Sequence, residues 1–355
     1  MPQTKQKPKQ TPKPKPKPLT VAVTGPTGDI GKAFVRALER SRSVGKVLGM
    51  ARRPFDPEAQ GWRKTEYRRG DVLDRKGVDS LVAEADVVVH LAFIIFGGPQ
   101  ETREVNLKGS RNVFEASAAS KRTKRLVYAS SVAAYGFHDD PDRPERFTED
   151  VEPRGTDDFY YSAQKAELEG LLADVVGATA TDAYVFRPCI VAGPDSLLLI
   201  ENIPYVSIAG RLPGAVRRLL DVMPVLKPVI PDPGVPFQLV HADDVATAMR
   251  AAVLGTGEPG IYNLAGDGIL TMSDLADALG WYSLPVPEIA VDATAELTSR
   301  LPFMPPEAEW LQSFRVPTIM DTTKARQGLA WRPKKDARET LRETVQAARD
   351  QGLVS

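Results

Sequence analysis

Tyr161 and Lys165 stand four residues apart in a stretch with helical spacing, which puts both side chains on one face, a turn apart. A free tyrosine titrates near ~10 and is a poor proton shuttle at neutral pH. An ammonium beside it favours the phenolate, so such a pair makes a general acid/base for a carbonyl–alcohol couple. Tyr160 is adjacent, but its partner four residues on is Gln164, so the spacing selects Tyr161. Ser131 follows an apolar segment at 125–129, at the carboxyl edge where ligands bind in parallel sheets. Its hydroxyl is expected to hydrogen-bond the reacting oxygen. A Tyr-x-x-x-Lys spacing is common by chance, and its weight here comes from what precedes it.

What precedes it is a glycine run, Thr24-Gly25-Pro26-Thr27-Gly28-Asp29-Ile30-Gly31, between a strand at 19–23 and a helix through about 39. A turn of this kind lets the backbone approach a pyrophosphate with no Cβ in the way. The unpaired N–H groups of the helix N-terminus then face the anion. At the end of the second strand an acid usually contacts the adenosine ribose when NAD is preferred. This chain reads Gly49-Met50-Ala51-Arg52-Arg53 there, with no carboxylate and two guanidinium groups able to pair with a 2′-phosphate. NADP is therefore the favoured cofactor, with NAD the alternative. Asp71, in Gly70-Asp71-Val72, is expected either to accept from the adenine amino group or to form a turn.

The elements that position these residues alternate. Strands are expected near 47–50, 65–69, 86–91, 125–129 and 183–187, and helices over 106–120 and 158–172. Such alternation predicts an α/β fold with a Rossmann-type doubly wound parallel sheet. After Gly193 prolines become frequent and the alternation weakens. Residues 238–241 read as a strand returning to the sheet, followed by a helix from 244. The expected division is a dinucleotide-binding domain of 19–189 and about 236–268. A smaller C-terminal substrate-binding lobe takes about 190–235 and 269–345.

Bulk composition narrows the classes. The chain has 355 residues, 42% hydrophobic and 26% charged, as in ordinary globular proteins. Of its 46 basic residues, six are lysines among residues 1–18, where Lys and Pro alternate; this tail is expected to be disordered. The other 40 basic side chains face 46 acidic ones, a mildly acidic body that argues against nucleic acid as a partner. Cys189 is the only cysteine, and His90, His138 and His241 lack metal-site spacing, so no metal is expected. Cys189, in apolar surroundings, is expected to be an inert packing residue. The longest apolar run, about 87–96, is half of the ~20 residues a membrane helix needs. With no apolar leader segment, the expectation is a cytoplasmic protein with no membrane partner.

In its ordered motifs the chain resembles the extended short-chain dehydrogenase/reductases, the NAD(P)-dependent epimerase/dehydratase family. The matching pieces are Thr24-Gly25-x-x-Gly28-x-Ile30-Gly31, Gly70-Asp71-Val72, His90-Leu91-Ala92 and Val105-Asn106-x-x-Gly109. They continue with Ser130-Ser131-x-x-x-Tyr135-Gly136, Tyr161-x-x-x-Lys165, Arg187-Pro188 and Val240-His241-x-Asp243-Asp244-Val245-Ala246. A closing stretch at 324–333 follows, and the likeness spans roughly residues 20–345.

The resemblance implies a Ser131–Tyr161–Lys165 catalytic set, with Lys165 also on the nicotinamide ribose and Asn106 supporting the site. It implies a cofactor cradle of Gly25, Thr27, Gly28, Asp29, Ile30 and Gly31, with Arg52, Arg53, Asp71 and Val72 at the adenosine end. Leu91, Ala92, Asn106, Pro188 and Val191 would line the nicotinamide end. It also implies a homodimer formed through helices at about 100–121 and 157–177.

Two departures narrow the activity. Val132-Ala133-Ala134 stands where 4,6-dehydratases of this family carry an acidic pair, and Ile190 where sugar-nucleotide epimerases carry an Asn. The expected activity is hydride transfer between nicotinamide and a carbonyl/alcohol carbon of a small-molecule substrate, with Tyr161 as general acid/base. The alternatives are a nucleotide-sugar epimerase with tightly bound NAD, and a non-catalytic NAD(P)-binding regulator. Phe93-Ile94-Ile95-Phe96 is expected to meet an apolar substrate or to pack in the core. His241 and Asp243–Asp244 would orient a substrate or cap a helix.

Overall fold

The apolar segments of the first half pair side by side in one parallel sheet. A computed structural model describes residues 17–97, 99–203, 205–206, 227–286 and 316–354. In chain order its first strands are β1 (Leu19–Thr24), β2 (Val44–Ala51), β3 (Thr65–Arg69), β4 (Val87–His90), β5 (Arg125–Ala129) and β6 (Asp182–Pro188). Then come β7 (Ile190–Ala192), β8 (Val229–Asp232), β9 (Leu239–His241), β10 (Gly260–Leu264) and β11 (Tyr282–Pro285). The main sheet has the order β10-β6-β5-β4-β1-β2-β3, and every neighbouring pair is parallel.

A parallel sheet needs crossovers, which cover both of its faces and make its central strands almost wholly apolar. β4 is buried along its whole length, as are Val21, Ala22, Val23, Leu126 and Val127. The helices are α1 (Asp29–Glu39), α2 (Arg75–Ala83), α3 (Pro99–Arg103), α4 (Gly109–Ala119) and α5 (Tyr160–Val176) in the first half. α6 (Leu198–Glu201), α7 (Ala242–Val253), α8 (Met272–Leu279), α9 (Thr323–Gly328) and α10 (Ala337–Asp350) follow. One apolar cluster packs Phe34 and Leu38 of α1 with Met249 and Val253 of α7 on one face of the sheet. A second packs Val113 and Phe114 of α4 with Leu168 and Leu172 of α5 on the other.

Strand order reverses between β1 and β4, which opens the crevice where such sheets take ligands. The glycine run lies at the mouth of that crevice. Gly25 has φ +74°, and a Cβ there would stand 2.9 Å from the Ala92 amide nitrogen. A Cβ on Gly31 would collide with the Gly25 carbonyl oxygen and the Pro26 main chain.

The doubly wound sheet agrees with the sequence pattern, but one strand is corrected. Residues 239–241 do not return to the main sheet; β9 pairs with β7 in a separate two-stranded sheet. The strand that joins the main sheet is β10, beside β6, and its sequence Gly-Ile-Tyr-Asn-Leu, with a glycine and an asparagine, is too mixed to stand out. The C-terminal lobe includes the β8–β11 ribbon, α8 and α10, which share a third apolar cluster around Leu275, Leu279, Trp281 and Leu341. Residues 1–16, nearly all of the Lys/Pro tail, lie outside the described residues, as do 207–226 and 287–315 of the expected substrate lobe. Among the described residues no helix is long and apolar enough to cross a membrane.

The Gly31→Ala variant is expected to lose about 1–3 kcal/mol of stability through overpacking against the turn, read as a lowered urea midpoint at unchanged slope.

Candidate active site

Ser131 caps the short 3₁₀ turn Val132–Tyr135 that follows β5, its Oγ accepting from the Ala133 amide at 3.2 Å. The same turn is tied to α5, because the Ser162 hydroxyl donates to the Ala133 carbonyl at 2.6 Å. That bond sets the register of Tyr161, one residue earlier, against Ser131. The two hydroxyls face each other closely enough for Ser131 to favour the Tyr161 phenolate. Tyr161 is buried, and burial raises its pKa above the ordinary phenol value, with the Ser131 hydroxyl working against the rise.

Lys165, one turn further along α5, is also buried. Its ammonium donates to the Ala129 carbonyl at 2.8 Å and to the Tyr128 hydroxyl at 3.5 Å. Burial pulls its pKa down to about 7, and the negative charge of Glu169 opposes the fall. The ammonium lies 5.7 Å from the centre of the Tyr161 ring. Lys165 and Tyr161 therefore share a face, as their spacing predicts, but the expected effect is corrected. In the protein alone desolvation governs both groups: it raises the pKa of the phenol and lowers that of the amine.

The next residue on that stripe of α5 is Glu169, which spacing alone also indicates. It is buried and takes Arg187 of β6 at 2.6 Å and the Ser130 hydroxyl at 2.5 Å. The Arg187 guanidinium, fully buried, stacks over the Tyr135 ring at 4.4 Å. A charged residue inside an apolar strand must have a buried partner, and that signal in 182–188 points to this ion pair.

Asn106 sits on a π-helical turn, Glu104–Lys108, just before α4. Its amide pairs with both main-chain groups of Ile94, accepting from the nitrogen at 2.8 Å and donating to the oxygen at 2.9 Å. It also donates to Gln164 at 2.8 Å. Asn106 thereby holds the segment after β4 against α5. Gln164, adjacent to Lys165, is a supporting residue that the Tyr–Lys motif does not reveal.

His90 closes β4 with Nδ1 2.7 Å from the Thr24 hydroxyl and Nε2 2.8 Å from the Ser110 hydroxyl. Burial, aided by the charge of Lys165, holds its pKa down to about 3, so it is neutral. It is a strut between β1, β4 and α4.

At the cofactor end α1 begins at Asp29 with no side-chain cap, which leaves its first amides to a ligand. Asp29 accepts from the Ser196 hydroxyl at 3.2 Å. Thr27 and Gly28 are exposed, and Ile30 is half-buried. Asp71 accepts from the Leu73 amide at 3.0 Å and so forms the expected turn, while Val72 packs against Gly109. Leu91 and Ala92 are half-buried beside Gly25, and Pro188 and Val191 flank Cys189, whose thiol pKa burial pushes up. His241, not an aspartate, caps α7, its Nδ1 accepting from the Asp243 amide at 3.1 Å. Asp244 instead accepts from the amides of Lys334 and Lys335. A cradle that a Cβ would fill, beside an uncapped helix start, fits a dinucleotide pyrophosphate.

The sequence pattern of the NAD dependent epimerase/dehydratase family matches residues 21–265, and the chain belongs to that family. It is an NAD(P)-dependent enzyme of the extended short-chain dehydrogenase type. The chain is similar to cinnamoyl-CoA reductase 2 of Medicago truncatula, 30% identical over 241 residues, covering 64% of this chain and 66% of that one. It is similar to ceramide reductase of Caulobacter vibrioides, 28% identical over 296 residues, covering 74% and 78%. Among solved structures it is similar to UDP-glucuronic acid 4-epimerase from Bacillus cereus in complex with NAD, with a TM-score of 0.69 and 18% identity, covering 94% and 99%. At that identity the likeness concerns the fold.

The expectation of NADP is corrected. In the matched structures described with a dinucleotide, it is NAD. Arg52 and Arg53 are exposed, and neither makes an ion pair or side-chain hydrogen bond among the described residues. Two cations on a loop, held by nothing, are not a built phosphate site.

Glu169→Gln keeps the shape but strands the Arg187 charge, and is expected to cost about 3–5 kcal/mol in denaturant unfolding. Replacing Lys165 by Met removes a buried amine and is expected to stabilise by about 1–3 kcal/mol. The sign follows from its lowered pKa: between about 7 and the unfolded value near ~10.4 the unfolded chain holds more protons. The native protein therefore gains stability over the Met variant as pH rises through that window, measured by melts of both proteins across it.

Proposed function

We propose that this chain is a NAD-dependent dehydrogenase/reductase that interconverts a carbonyl and an alcohol carbon, with Tyr161 as general acid/base. The observation that carries this reading is the juxtaposition of the Tyr161 and Ser131 hydroxyls at the carboxyl edge of the sheet. A reacting oxygen set between them meets both a proton donor and a second hydrogen-bonding group. Held by the Gly25–Gly31 turn and Lys165, the cofactor would supply or accept the hydride exchanged with the reacting carbon.

In the direction of reduction Tyr161, kept protonated at neutral pH by burial, gives its proton to that oxygen. In oxidation it takes the alcohol proton. Ser131 orients the oxygen, Lys165 steadies the nicotinamide ribose and Asn106 supports the segment beside it. Gly25, Thr27, Gly28, Asp29, Ile30 and Gly31 hold the pyrophosphate, and Asp71 and Val72 border the adenine. Leu91, Ala92, Pro188 and Val191 flank the nicotinamide. Residues 19–189 with about 236–268 form the cofactor domain, and the remainder through 345 covers the substrate.

Two features support reduction of a compound with an apolar body. The Tyr161 ring packs on Phe93 and Phe159, in an apolar cluster that Ile95, Phe137 and Tyr160 adjoin. The matched relatives with the highest identities quoted above are both reductases by name. Absence of the acidic pair at 132–134 and of an Asn at 190 separates the chain from the dehydratase and epimerase patterns.

Tyr161→Phe is expected to lower kcat for ketone reduction about 10²–10⁴-fold while calorimetry finds NAD binding intact. Retained turnover would remove Tyr161 from the chemistry. Turnover of a UDP-sugar by a copurified dinucleotide, without use of added NADH, would favour epimerisation instead.

A further inference from the structure

Phe93 belongs to the apolar segment after β4, yet it is only half-buried, and its ring does something a core residue does not. Its face lies over the Lys165 ammonium, 3.8 Å from nitrogen to ring centre. Its edge meets the Tyr161 ring, with centres 5.5 Å apart and planes at 86°. The ring thus touches both members of the Tyr–Lys pair.

Lys165 has three N–H groups. The Ala129 carbonyl takes one, and the Tyr128 hydroxyl accepts weakly from a second. The remaining direction is occupied by the π face of Phe93, which attracts a cation but offers it no oxygen. A buried ammonium held in this way is covered and under-coordinated at once.

The backbone on either side of Phe93 is fixed. The Leu91 amide donates to the Thr24 carbonyl at 3.1 Å and the Ala92 amide to the Thr24 hydroxyl at 3.4 Å. Ile94 is gripped at both main-chain groups by Asn106. Displacement of the ring therefore requires a side-chain rotation rather than a loop movement.

We propose that Phe93 is a displaceable stopper on Lys165, its ring standing where the ribose hydroxyls of the dinucleotide engage the ammonium. Cofactor binding and the uncovering of Lys165 are then one event, and Phe93 is a positioning residue that sets cofactor affinity. The proposal rests on the function proposed above, in which Lys165 meets the nicotinamide ribose. A stopper lowers apparent affinity by the fraction of molecules in which the seat is free, so trimming it must tighten binding.

The test is calorimetric titration of the full chain with NAD, in wild type, Phe93→Ala and Phe93→Leu. Labelling of Lys165 by trinitrobenzenesulfonate, located by peptide mass spectrometry, gives a second readout without cofactor. Phe93→Ala is expected to bind NAD about three- to tenfold more tightly and to label faster at Lys165. Phe93→Leu, which keeps the bulk and loses the π face, is expected to tighten by a smaller factor and serves if the Ala variant fails to fold. Unchanged or weaker binding in the folded variants, with wild type binding NAD, overturns the stopper alone; weaker binding would make the ring part of the cofactor seat. A wild-type protein that takes up no NAD overturns the proposed function, and the stopper with it.

Discussion

The constraint on which the rest of the site depends is the cost of keeping an amine in a dry interior. Lys165 is buried among Tyr128, Phe93 and the backbone of β5, with one strong acceptor and a pKa brought down to about 7. A protein selected for stability alone gains from an apolar side chain there. Its retention beside Tyr161 is what we read as function, because perturbed titratable groups in a crevice mark chemistry more often than architecture. The same dryness raises the phenol of Tyr161, so burial acts against the charged form of both groups. The charge of a bound dinucleotide and the oxygens of its ribose are, in our reading, what rebalances them.

Around this pair the structure is a set of struts that leave little freedom. Ser162 fixes α5 to the Ser131 turn, Asn106 and Gln164 fix α5 to the segment after β4, and His90 joins three elements through two hydroxyls. Behind them the Glu169–Arg187 pair joins α5 to β6 with almost no exposure to water. Each is a polar group whose burial is offset by complete pairing, and a partly satisfied network would cost more than an apolar one. The arrangement places the catalytic candidates on rigid elements, which is where tightly held geometry comes from.

Much of this was legible from sequence, for physical reasons. The Gly25–Gly28–Gly31 spacing, the almost wholly apolar segment at 86–91 and the four-residue step from Tyr161 to Lys165 each reflect a local rule, so the sheet and the core of the site are readable. The return strand was misassigned because β10 is five residues with a glycine and an asparagine, while 238–241 has the more strand-like composition. The Asn106–Ile94 clamp and the Phe93–Lys165 contact depend on which loop meets which helix, and no local pattern carries that. The reading of Arg52–Arg53 failed for a related reason: two cations in a row say nothing about whether a fold holds them still. Residue type alone does not distinguish a phosphate clamp from a solvated loop.

The most direct test of the account is a crystal structure of the protein with NAD and a ketone or alcohol ligand. The expected complex has the pyrophosphate against the Gly25–Gly31 turn, the nicotinamide ribose on Lys165, and the ligand oxygen within hydrogen-bonding distance of both Tyr161 and Ser131. A dinucleotide bound there with the Tyr161 hydroxyl turned away from the ligand oxygen would contradict it.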